Sequence, residues 1–436
     1  MDSKQLKVAY ITSGAAGMFC GSCMHDNTLA RTLARRNVDV QLIPTYTPIR
    51  TDEEDVSMDR VFFGGINVFL QQKIPLFRYL PALFDRWFDN PRLLKWVSSR
   101  AMETSAKELG ALTVSMLKGR SGYQKKEIRQ LIQWLQSTVK PDLVVFSNML
   151  VAGCIPAIKE TLDVPVLVTL QGDDIFLDDL PEPYRSQSLQ EIRRLVSDVD
   201  GFVVNSEYYG KHMAECFEIP NSKINRVQLG IDTSEFPQEF KDRAATDDKV
   251  IGYLARLAPE KGLHVLVDAF IHLRESDDKT RLKIAGWLGP NNEKYADEQF
   301  ARLRDAGLES AFEYVGSVDR HDKIEFLSEL DILSVPTTYR EPKGLFVLEA
   351  LAAGVPVIQP NHGAFPELLS AVGGGCLVEP NDPQQLSEAI SQLLADNDKR
   401  TELARTGHQR VHEKFNAEAM ADAMLELYHS FVSREE

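Results

Sequence analysis

The amino-acid sequence predicts an α/β protein with two domains, each built on a parallel β-sheet. Its 436 residues are more than one hydrophobic core usually serves, so two domains are expected. Short apolar runs of strand character alternate with segments of helical period, an alternation that is typical of βαβ units. Several of these runs end in a glycine or a glycine-rich loop, and ligands bind at this carboxyl end of parallel strands.

The composition is that of an ordinary globular protein, 43% hydrophobic and 26% charged. The net charge of −15 argues against nucleic acid as the main partner. The five cysteines are scattered along the chain, which favours a reducing cytoplasm over a disulfide framework. No long apolar run is present, and the first residues lack the pattern of a signal peptide. We therefore expect a cytoplasmic protein without a transmembrane helix.

The first half opens with a strand–helix–strand pattern. Residues 7–13 predict a buried strand, a glycine-rich loop follows over 14–21, and a helix then runs to about Arg36 before a second strand over 38–43. This βαβ opening implies a parallel sheet, with the loop at its ligand-binding edge. Further buried strands are predicted over 142–147, 164–170 and 201–206.

The segment 71–129 fits this pattern less well, since it is basic within an acidic chain. It holds twelve Lys or Arg and five Asp or Glu, with several aromatic residues. Its apolar faces can pack on the domain while its charges are solvated. The alternative is peripheral contact with an anionic membrane surface, which attracts basic amphipathic segments.

The second half opens with a strand over 250–257 and a helix after it. Arg256 and Lys261 stand at the carboxyl end of that strand. An arginine fork and the point charge of a lysine suit a diphosphate. Two later strands end at Gly286 and Gly316, so Gly316 is placed at the same edge of the sheet.

A loop, helix, tight turn and strand are predicted over 341–358. The helix begins near Gly344, which has no side chain to block close approach. The unpaired N–H groups and the positive dipole end of its first turn favour a phosphate. Glu341 and Glu349 flank this helix end. Because a carboxylate repels a phosphate, we expect these two to face hydroxyl groups, such as those of a ribose and a hexose on either side of a diphosphate.

The spacing of Glu341 and Glu349 resembles the Glu-x7-Glu motif of the family-4 retaining glycosyltransferases. The resemblance extends through both halves of the chain. The matching positions are Gly21, Gly252, Arg256, Lys261, Gly262, Gly344, Leu348, Ala350, Gly354, Pro356, Val357, Ile358, Gly363 and Glu367. It departs from the family at Cys20, where a second glycine is usual, and at Gln171, where many relatives have histidine.

The resemblance implies the GT-B architecture, in which two Rossmann-like domains with parallel sheets face each other across a cleft. Residues 1–237 would form the acceptor-side domain and residues 238–415 the nucleotide-sugar-binding domain. The last helix, within 416–436, would cross back to the first domain. Because a fold alone does not specify chemistry, the site residues carry the functional argument.

The implied reaction is transfer of a hexosyl unit from a nucleoside-diphosphate sugar, with UDP or GDP most expected, to a glycan or lipid-linked glycan. The family retains the anomeric configuration and needs no metal or other cofactor. Arg256, Lys261 and Glu341 would be catalytic. The expected donor contacts are Gly21, Gln171, Asp173, Gly316, Lys343, Gly344, Leu345 and Glu349. Gln171 can hydrogen-bond a sugar, but it cannot serve as a proton-transfer base.

Three other interpretations stay open at this stage. A related epimerase or glycan phosphorylase of the same fold would share much of the pattern. A non-catalytic nucleotide-sugar-binding or scaffold protein would be consistent with Gln171 in place of histidine. The spacing of Cys20 and Cys23 is that of a redox or metal half-motif, although no second cysteine pair completes a zinc site.

Overall fold

A computed structural model of the chain describes residues 5–14, 21–58, 61–62, 106–242 and 248–433. Most of the predicted loop over 14–21, including Cys20, lies outside these residues. So does the larger part of the basic segment, from position 71 to 105.

The chain divides into two compact units. Unit 1 consists of Met1–Val204, Gly210–Val227 and Ala421–Glu436, and unit 2 of Asn205–Tyr209 and Gln228–Met420. Each unit has one parallel sheet with helices in the crossover connections, so the predicted α/β class with two Rossmann-like domains is confirmed.

Strands and helices alternate through the first half of the chain. They are β1 (Lys7–Thr12), α1 (Gly21–Arg35), β2 (Asp39–Pro44), α2 (Ala106–Leu117), α3 (Lys125–Trp134), β3 (Leu143–Phe146), α4 (Ile155–Leu162), β4 (Val166–Thr169), α5 (Asp173–Asp178), α6 (Tyr184–Leu195), β5 (Gly201–Val204), α7 (Glu207–Phe217) and β6 (Ile224–Arg226). The sheet order among the described strands is β2-β1-β3-β4-β5-β6, with parallel pairing throughout.

The second half repeats the alternation. Its elements are β7 (Val250–Leu254), α8 (Leu263–Arg274), β8 (Arg281–Ala285), α9 (Glu293–Asp305), β9 (Phe312–Gly316), α10 (Arg320–Ser328), β10 (Ile332–Leu333), α11 (Leu345–Ala352), β11 (Val357–Pro360), α12 (Phe365–Val372), β12 (Gly375–Val378), α13 (Pro383–Ala395), α14 (Asn397–Lys414) and α15 (Ala417–Val432). The described strands lie in the order β12-β11-β10-β7-β8-β9, again parallel.

The central strands are mainly apolar because helices cover both faces of a parallel sheet. In β3 and β4 every residue is buried, and residues 8–11 of β1 are fully enclosed. Such runs have no polar alternation, which is why they are readable from the sequence as buried strands.

Backbone contacts join the loops that follow β7, β8 and β9. The Leu257 amide donates to the Trp287 carbonyl at 3.0 Å, and the Gly286 amide donates to the Gly316 carbonyl at 2.8 Å. Gly286 has φ +145°, and a Cβ there would lie 1.8 Å from the carbonyl oxygen of Ala255. Only glycine permits this approach. The loops at the carboxyl edge of the unit 2 sheet are therefore closely packed against one another.

The final helix belongs largely to unit 1, because residues from Ala421 onward group with that unit. Tyr428 is fully buried, and Phe431 packs over Gly201 at the start of β5. Arg36, just after α1, pairs with Asp422 at 3.0 Å on the surface. Residues 421–433 thus complete the core of unit 1.

Candidate active site

The connection between β7 and α8 brings the two predicted cations to the edge of the unit 2 sheet. Its last residue, Gly262, has φ +73°, and a Cβ there would lie 1.8 Å from the carbonyl oxygen of Pro336. The Thr338 amide donates to the Glu260 carbonyl at 2.9 Å. These backbone contacts hold the loop that carries Arg256 and Lys261 against the loop that leads to Glu341.

Lys261 and Glu341 form the centre of the site. The Lys261 ammonium donates to Glu341 Oε2 at 2.8 Å and to the Tyr339 hydroxyl at 2.5 Å. Tyr339 in turn donates to the same Glu341 oxygen. Two of the three N–H groups of the ammonium are used in this cluster of described side chains.

The charge of Glu341 is stabilised by this cluster. Burial by itself raises the pKa of the Glu341 carboxyl, but the charge and hydrogen bond of Lys261 and the hydrogen bond of Tyr339 outweigh burial and lower that pKa to about 2. Burial, with the charge of Glu341, raises the pKa of Tyr339 well above its usual value. Tyr339 therefore keeps its proton and acts as a donor toward Glu341.

Tyr339 was not among the residues predicted from sequence. It lies two positions before the motif glutamate, where no periodicity or spacing singles it out. The fold brings Tyr339 to Lys261, which is distant in the sequence. The Lys261 ammonium lies 4.8 Å from the centroid of the Tyr339 ring. Such a position over an aromatic face favours a cation.

The predicted helix start is observed one residue after Gly344, which precedes α11 with φ +79°. The amides of Lys343 and Gly344 point toward Glu341 Oε1, each at 3.4 Å. Lys343 is buried and Leu345 partly buried. The structure thus brings Lys261, Glu341, Lys343, Gly344 and Leu345 together, as the sequence predicted for a site at this helix end.

Glu349 lies on α11, among side chains that are all buried from Phe346 to Ala352. Its Oε1 accepts a hydrogen bond from the ammonium of Lys323 on α10 at 2.6 Å. Lys323 is the second residue that sequence reasoning missed. A lysine in the polar sequence of α10 looks like a solvated charge, and only the packing of α10 on α11 shows that it is enclosed.

Arg256 and Gly316 lie at the more open part of this edge. The Arg256 guanidinium pairs with Glu260 at 2.7 Å, and its side chain is 38% exposed. Gly316 ends β9 with φ +85°, and no atom lies within 4 Å of the place where its Cβ would be. Space is therefore present beside Gly316 for part of a ligand.

In unit 1, Gln171 is held by contacts on several sides. Its Nε2 donates to Asp26 Oδ1 at 2.8 Å and to the Ser147 carbonyl at 3.1 Å. Its own carbonyl accepts from the hydroxyl of Ser22, one residue after Gly21 at the start of α1. Both protons of the Gln171 amide nitrogen are therefore used within the fold.

Asp26 is the third residue that was missed, and it is fully buried. Besides Gln171, it accepts from the Tyr10 hydroxyl at 2.9 Å and from the Thr12 hydroxyl at 3.0 Å. His25 Nδ1 lies 3.2 Å from Oδ1. One sequence signal could have found it: Asp26 shares a helix face with the buried residues at 29, 30 and 33, where a lone carboxylate needs partners.

Asp173 fixes the backbone beside Gln171. Its carboxylate accepts from the Met149 amide at 2.6 Å and from the Gln171 amide at 3.1 Å. Burial outweighs these two donors and raises the pKa of Asp173 to about 6. Its described contacts are thus those of a residue that shapes the loop after β4.

The raised pKa of Asp173 predicts a pH-dependent contribution to stability. Since the folded chain holds this proton to higher pH than the unfolded chain does, the contribution is present below pH 3.8 and lost as pH rises through about 6. An Asp173→Asn variant lacks this titration. Between pH 4 and 7 we expect its free energy of unfolding to gain about 2 kcal/mol relative to wild type, at about 1.4 kcal/mol for each pKa unit.

Thermal unfolding of both proteins at several pH values measures this difference. Asp178→Asn is the matched control, since its side chain is 65% exposed. A difference for Asp173→Asn that does not change with pH would mean that folding leaves the pKa of Asp173 unshifted, contrary to this prediction.

Among the described residues, the side chains close enough to share a metal ion are His321, Asp322 and Glu325 on α10. All three are exposed, and such surface groups are common without an ion. Cys23 is buried in α1 and forms no disulfide within the described part of the chain. Neither feature supplies a ligand set beside Lys261 and Glu341.

Two models of known protein families match this chain. The family model described as Glycosyl transferases group 1 matches residues 235–410, and the model described as Glycosyltransferase Family 4 matches residues 108–235. The chain belongs to the family-4 glycosyltransferases. The first model spans Arg256, Lys261, Glu341 and Glu349, and the second spans Gln171 and Asp173.

Relatives of this glycosyltransferase include enzymes with different substrates. It is 27% identical over 311 residues to a glycogen synthase of Mycobacterium tuberculosis, covering 71% of this chain and 72% of the relative. It is 26% identical over 269 residues to a D-inositol 3-phosphate glycosyltransferase of Corynebacterium aurimucosum, covering 59% and 63%. These relatives share the transfer reaction class, and they differ in what they glycosylate.

Solved structures show the same fold. The Anabaena protein HepE in complex with UDP matches with a TM-score of 0.67 and 16% identity, covering 98% of this chain and all of that one. Sucrose-phosphate synthase from Thermosynechococcus elongatus matches with a TM-score of 0.70 and 18% identity, covering 99% and 100%. The predicted GT-B glycosyltransferase fold is therefore confirmed. Within the residues described, no helix of this glycosyltransferase has both the length and the apolar character needed to cross a membrane.

Proposed function

We propose that this glycosyltransferase transfers a hexosyl unit from a nucleoside-diphosphate sugar to a glycan or a lipid-linked glycan, with retention of configuration and without a metal ion. The observation that carries the proposal is the hydrogen-bonded cluster of Lys261, Tyr339 and Glu341 at the start of α11. It places a cation, a carboxylate and backbone N–H groups within one small region. Such a set suits a diphosphate next to a sugar.

The donor class is supported by the relatives. HepE was solved with UDP-glucose, and a similar Corynebacterium glutamicum enzyme is a GDP-mannose-dependent mannosyltransferase, 26% identical over 61% of this chain and 70% of its own. UDP and GDP sugars are accordingly the donors we propose. Gly21, Gln171 and Asp173 stay predictions for donor contact, and their contacts within unit 1 fix the loops that carry them.

The proposed mechanism is electrostatic stabilisation of the leaving group. As the bond between the anomeric carbon and the diphosphate breaks, Lys261, Arg256 and the amides near Gly344 stabilise the charge that develops on the phosphate oxygens. The acceptor oxygen attacks the anomeric carbon from the same face. A phosphate oxygen of the departing diphosphate takes the acceptor proton, so no side chain acts as nucleophile or proton base. Glu341 holds sugar hydroxyls during this step.

A ligand panel tests the proposal. Purified protein is heated with UDP-, GDP- and ADP-sugars and with the free diphosphates, in the presence of EDTA. A ligand that binds only the folded state adds about 2.7 kcal/mol of stability at a hundred times its Kd, so a bound donor raises the unfolding temperature measurably. Glu349→Gln should reduce the shift, while the control Glu329→Gln, directly after α10 and with a side chain that is 45% exposed, should retain it.

Each outcome has a separate meaning. A shift that survives EDTA, followed by sugar transfer, supports a metal-independent transferase. A shift that needs a divalent cation contradicts the metal-independent mechanism. Tight binding with no transfer to any acceptor favours a non-catalytic nucleotide-sugar-binding protein, and product formation without acceptor favours an epimerase. No shift with any nucleotide contradicts the proposed donor.

A further inference from the structure

Lys323 is an enclosed lysine whose ammonium is directed at a carboxylate of the candidate site. Its side chain is 6% exposed and that of Glu349 is 11% exposed, with 2.6 Å between Nζ and Oε1. A lysine is seldom buried unless its charge is paired. The enclosed pair therefore calls for an explanation beyond the solvation of a surface charge.

Both ends of this pair stand on well-anchored helices. Asp319 caps the start of α10 by accepting from the Asp322 amide at 3.0 Å, and Phe326 and Leu327 bury its inner side. On the other side, α11 is buried along its length. A short charged hydrogen bond between two fixed helices restricts the rotamers available to the carboxylate, which is how a binding group is preorganised.

The pairing has a consequence for what Glu349 can bind. A carboxylate has two oxygens with about four acceptor positions, and Lys323 takes one of them at Oε1. Because the contact with Lys323 fixes the orientation of the Glu349 carboxylate, it also fixes the directions in which the other acceptor positions point. Two hydroxyl groups on neighbouring carbons, as in the 2′,3′-diol of a ribose, can donate to the two oxygens of such a carboxylate.

We propose that Lys323 is a positioning residue that orients Glu349 for the ribose diol of the donor and thereby sets the preference for ribonucleotides over deoxyribonucleotides. The inference rests on the proposed function, specifically on Glu349 as the ribose-binding group. It adds that the geometry of the carboxylate, held by Lys323, decides the preference. Lys323 itself does not touch the reacting atoms.

The test compares nucleotides that differ by one hydroxyl. Calorimetric titration gives the Kd of UDP, GDP and ADP and of dUDP, dGDP and dADP, and the ratio within the best-bound pair measures ribose preference. A hydrogen bond to a charged group is worth about tenfold in affinity, so we expect wild type to prefer the ribonucleotide by about tenfold. In Lys323→Met we expect the ratio to fall below about threefold, while the Kd of the deoxynucleotide changes little.

Three variants complete the design. Lys283→Met is the matched control, because Lys283 is also a paired lysine in unit 2, and its ratio should equal that of wild type. Lys323→Arg keeps the charge and should retain most of the preference. If Lys323→Met does not fold, Lys323→Gln, which keeps a hydrogen-bond donor without the charge, replaces it and should also show a reduced ratio.

The outcomes separate this inference from the proposed function. If wild type prefers the ribonucleotide and the Lys323 variants keep that preference, Lys323 does not position Glu349 and the inference is wrong, while the proposed donor stands. A wild type that binds both nucleotides equally overturns the ribose role and this inference with it. A wild type that binds none of the six nucleotides overturns the proposed donor as well.

Discussion

Arg256→Ala and Lys261→Ala are each expected to lower turnover by about a hundredfold or more. Both side chains lie at the carboxyl edge of the unit 2 sheet, and Lys261 retains one N–H group for a phosphate oxygen beyond its contacts with Tyr339 and Glu341. Loss of one preorganised donor to developing charge usually costs about 3–4 kcal/mol of transition-state stabilisation. At about 1.4 kcal/mol for each factor of ten, the expected loss exceeds a hundredfold.

The measurement is the rate at which nucleoside diphosphate is released from the donor identified by the ligand panel. Arg256→Ala is the cleaner variant, since Arg256 is partly exposed and pairs with a partly exposed Glu260. Its matched control is Arg302→Ala, another arginine of unit 2, which pairs with Asp268 and has a side chain 42% exposed. Control activity should equal that of wild type. Full turnover in both Arg256→Ala and Lys261→Ala would show that the leaving group is stabilised elsewhere.

Lys261→Ala carries a second consequence that has to be separated from catalysis. Removing the ammonium leaves the buried Glu341 carboxylate with Tyr339 as its remaining side-chain donor, and breaking one side of a buried ion pair destabilises a protein by about 3–5 kcal/mol. Lys261→Met/Glu341→Gln removes both charges and so avoids that cost. If this double variant is as stable as wild type and still inactive, the lost activity reflects chemistry and not folding.

Asp26→Ala is expected to destabilise unit 1 by about 3–5 kcal/mol. The substitution removes the acceptor shared by the Tyr10 and Thr12 hydroxyls and by the Gln171 amide. Each donor left buried without a partner costs about 1–3 kcal/mol. Since about 1 kcal/mol corresponds to roughly 2–4 °C for a domain of this size, the unfolding temperature should fall by about 10 °C.

Calorimetry of Asp26→Ala beside Asp178→Ala checks this prediction. Asp178 also lies in unit 1 and pairs with Arg185, but that pair is solvent-exposed, and such pairs contribute about 0–1 kcal/mol. The two aspartates therefore differ mainly in burial and number of donors. Equal, small shifts for both variants would mean that the donors around Asp26 find other partners, and that the polar cluster under Gln171 is not what holds the loop after β4.

The cations of the candidate site are already paired with carboxylates, and this pairing affects how a diphosphate can bind there. Arg256, Lys261 and Lys323 each pair with a carboxylate, namely that of Glu260, Glu341 and Glu349. A diphosphate at Arg256 or Lys261 must therefore compete with, or add to, an existing contact. This arrangement keeps charges compensated near the enclosed part of the site, where an unpaired charge would be costly.

Much of the fold and half of the site could be predicted from local patterns. The apolar runs of β3 and β4 and the helix start after Gly344 are properties of a few neighbouring residues. They are set by backbone geometry and by the burial of consecutive side chains. Glu341 and Glu349 could also be predicted, because they lie close together in the sequence and their spacing is visible without the tertiary structure.

The sequence by itself thus determined the two α/β domains, the glycosyltransferase family and the helix end that the candidate site surrounds. Only the tertiary structure decided which side chains pair. Lys261 and Glu341 are 80 residues apart, Lys323 and Glu349 are 26 apart, and Asp26 and Gln171 are 145 apart. Such pairs depend on which helices and strand ends pack together, and periodicity along the chain does not contain that information. This is why Tyr339, Lys323 and Asp26 emerged from the packing within each unit and not from any motif.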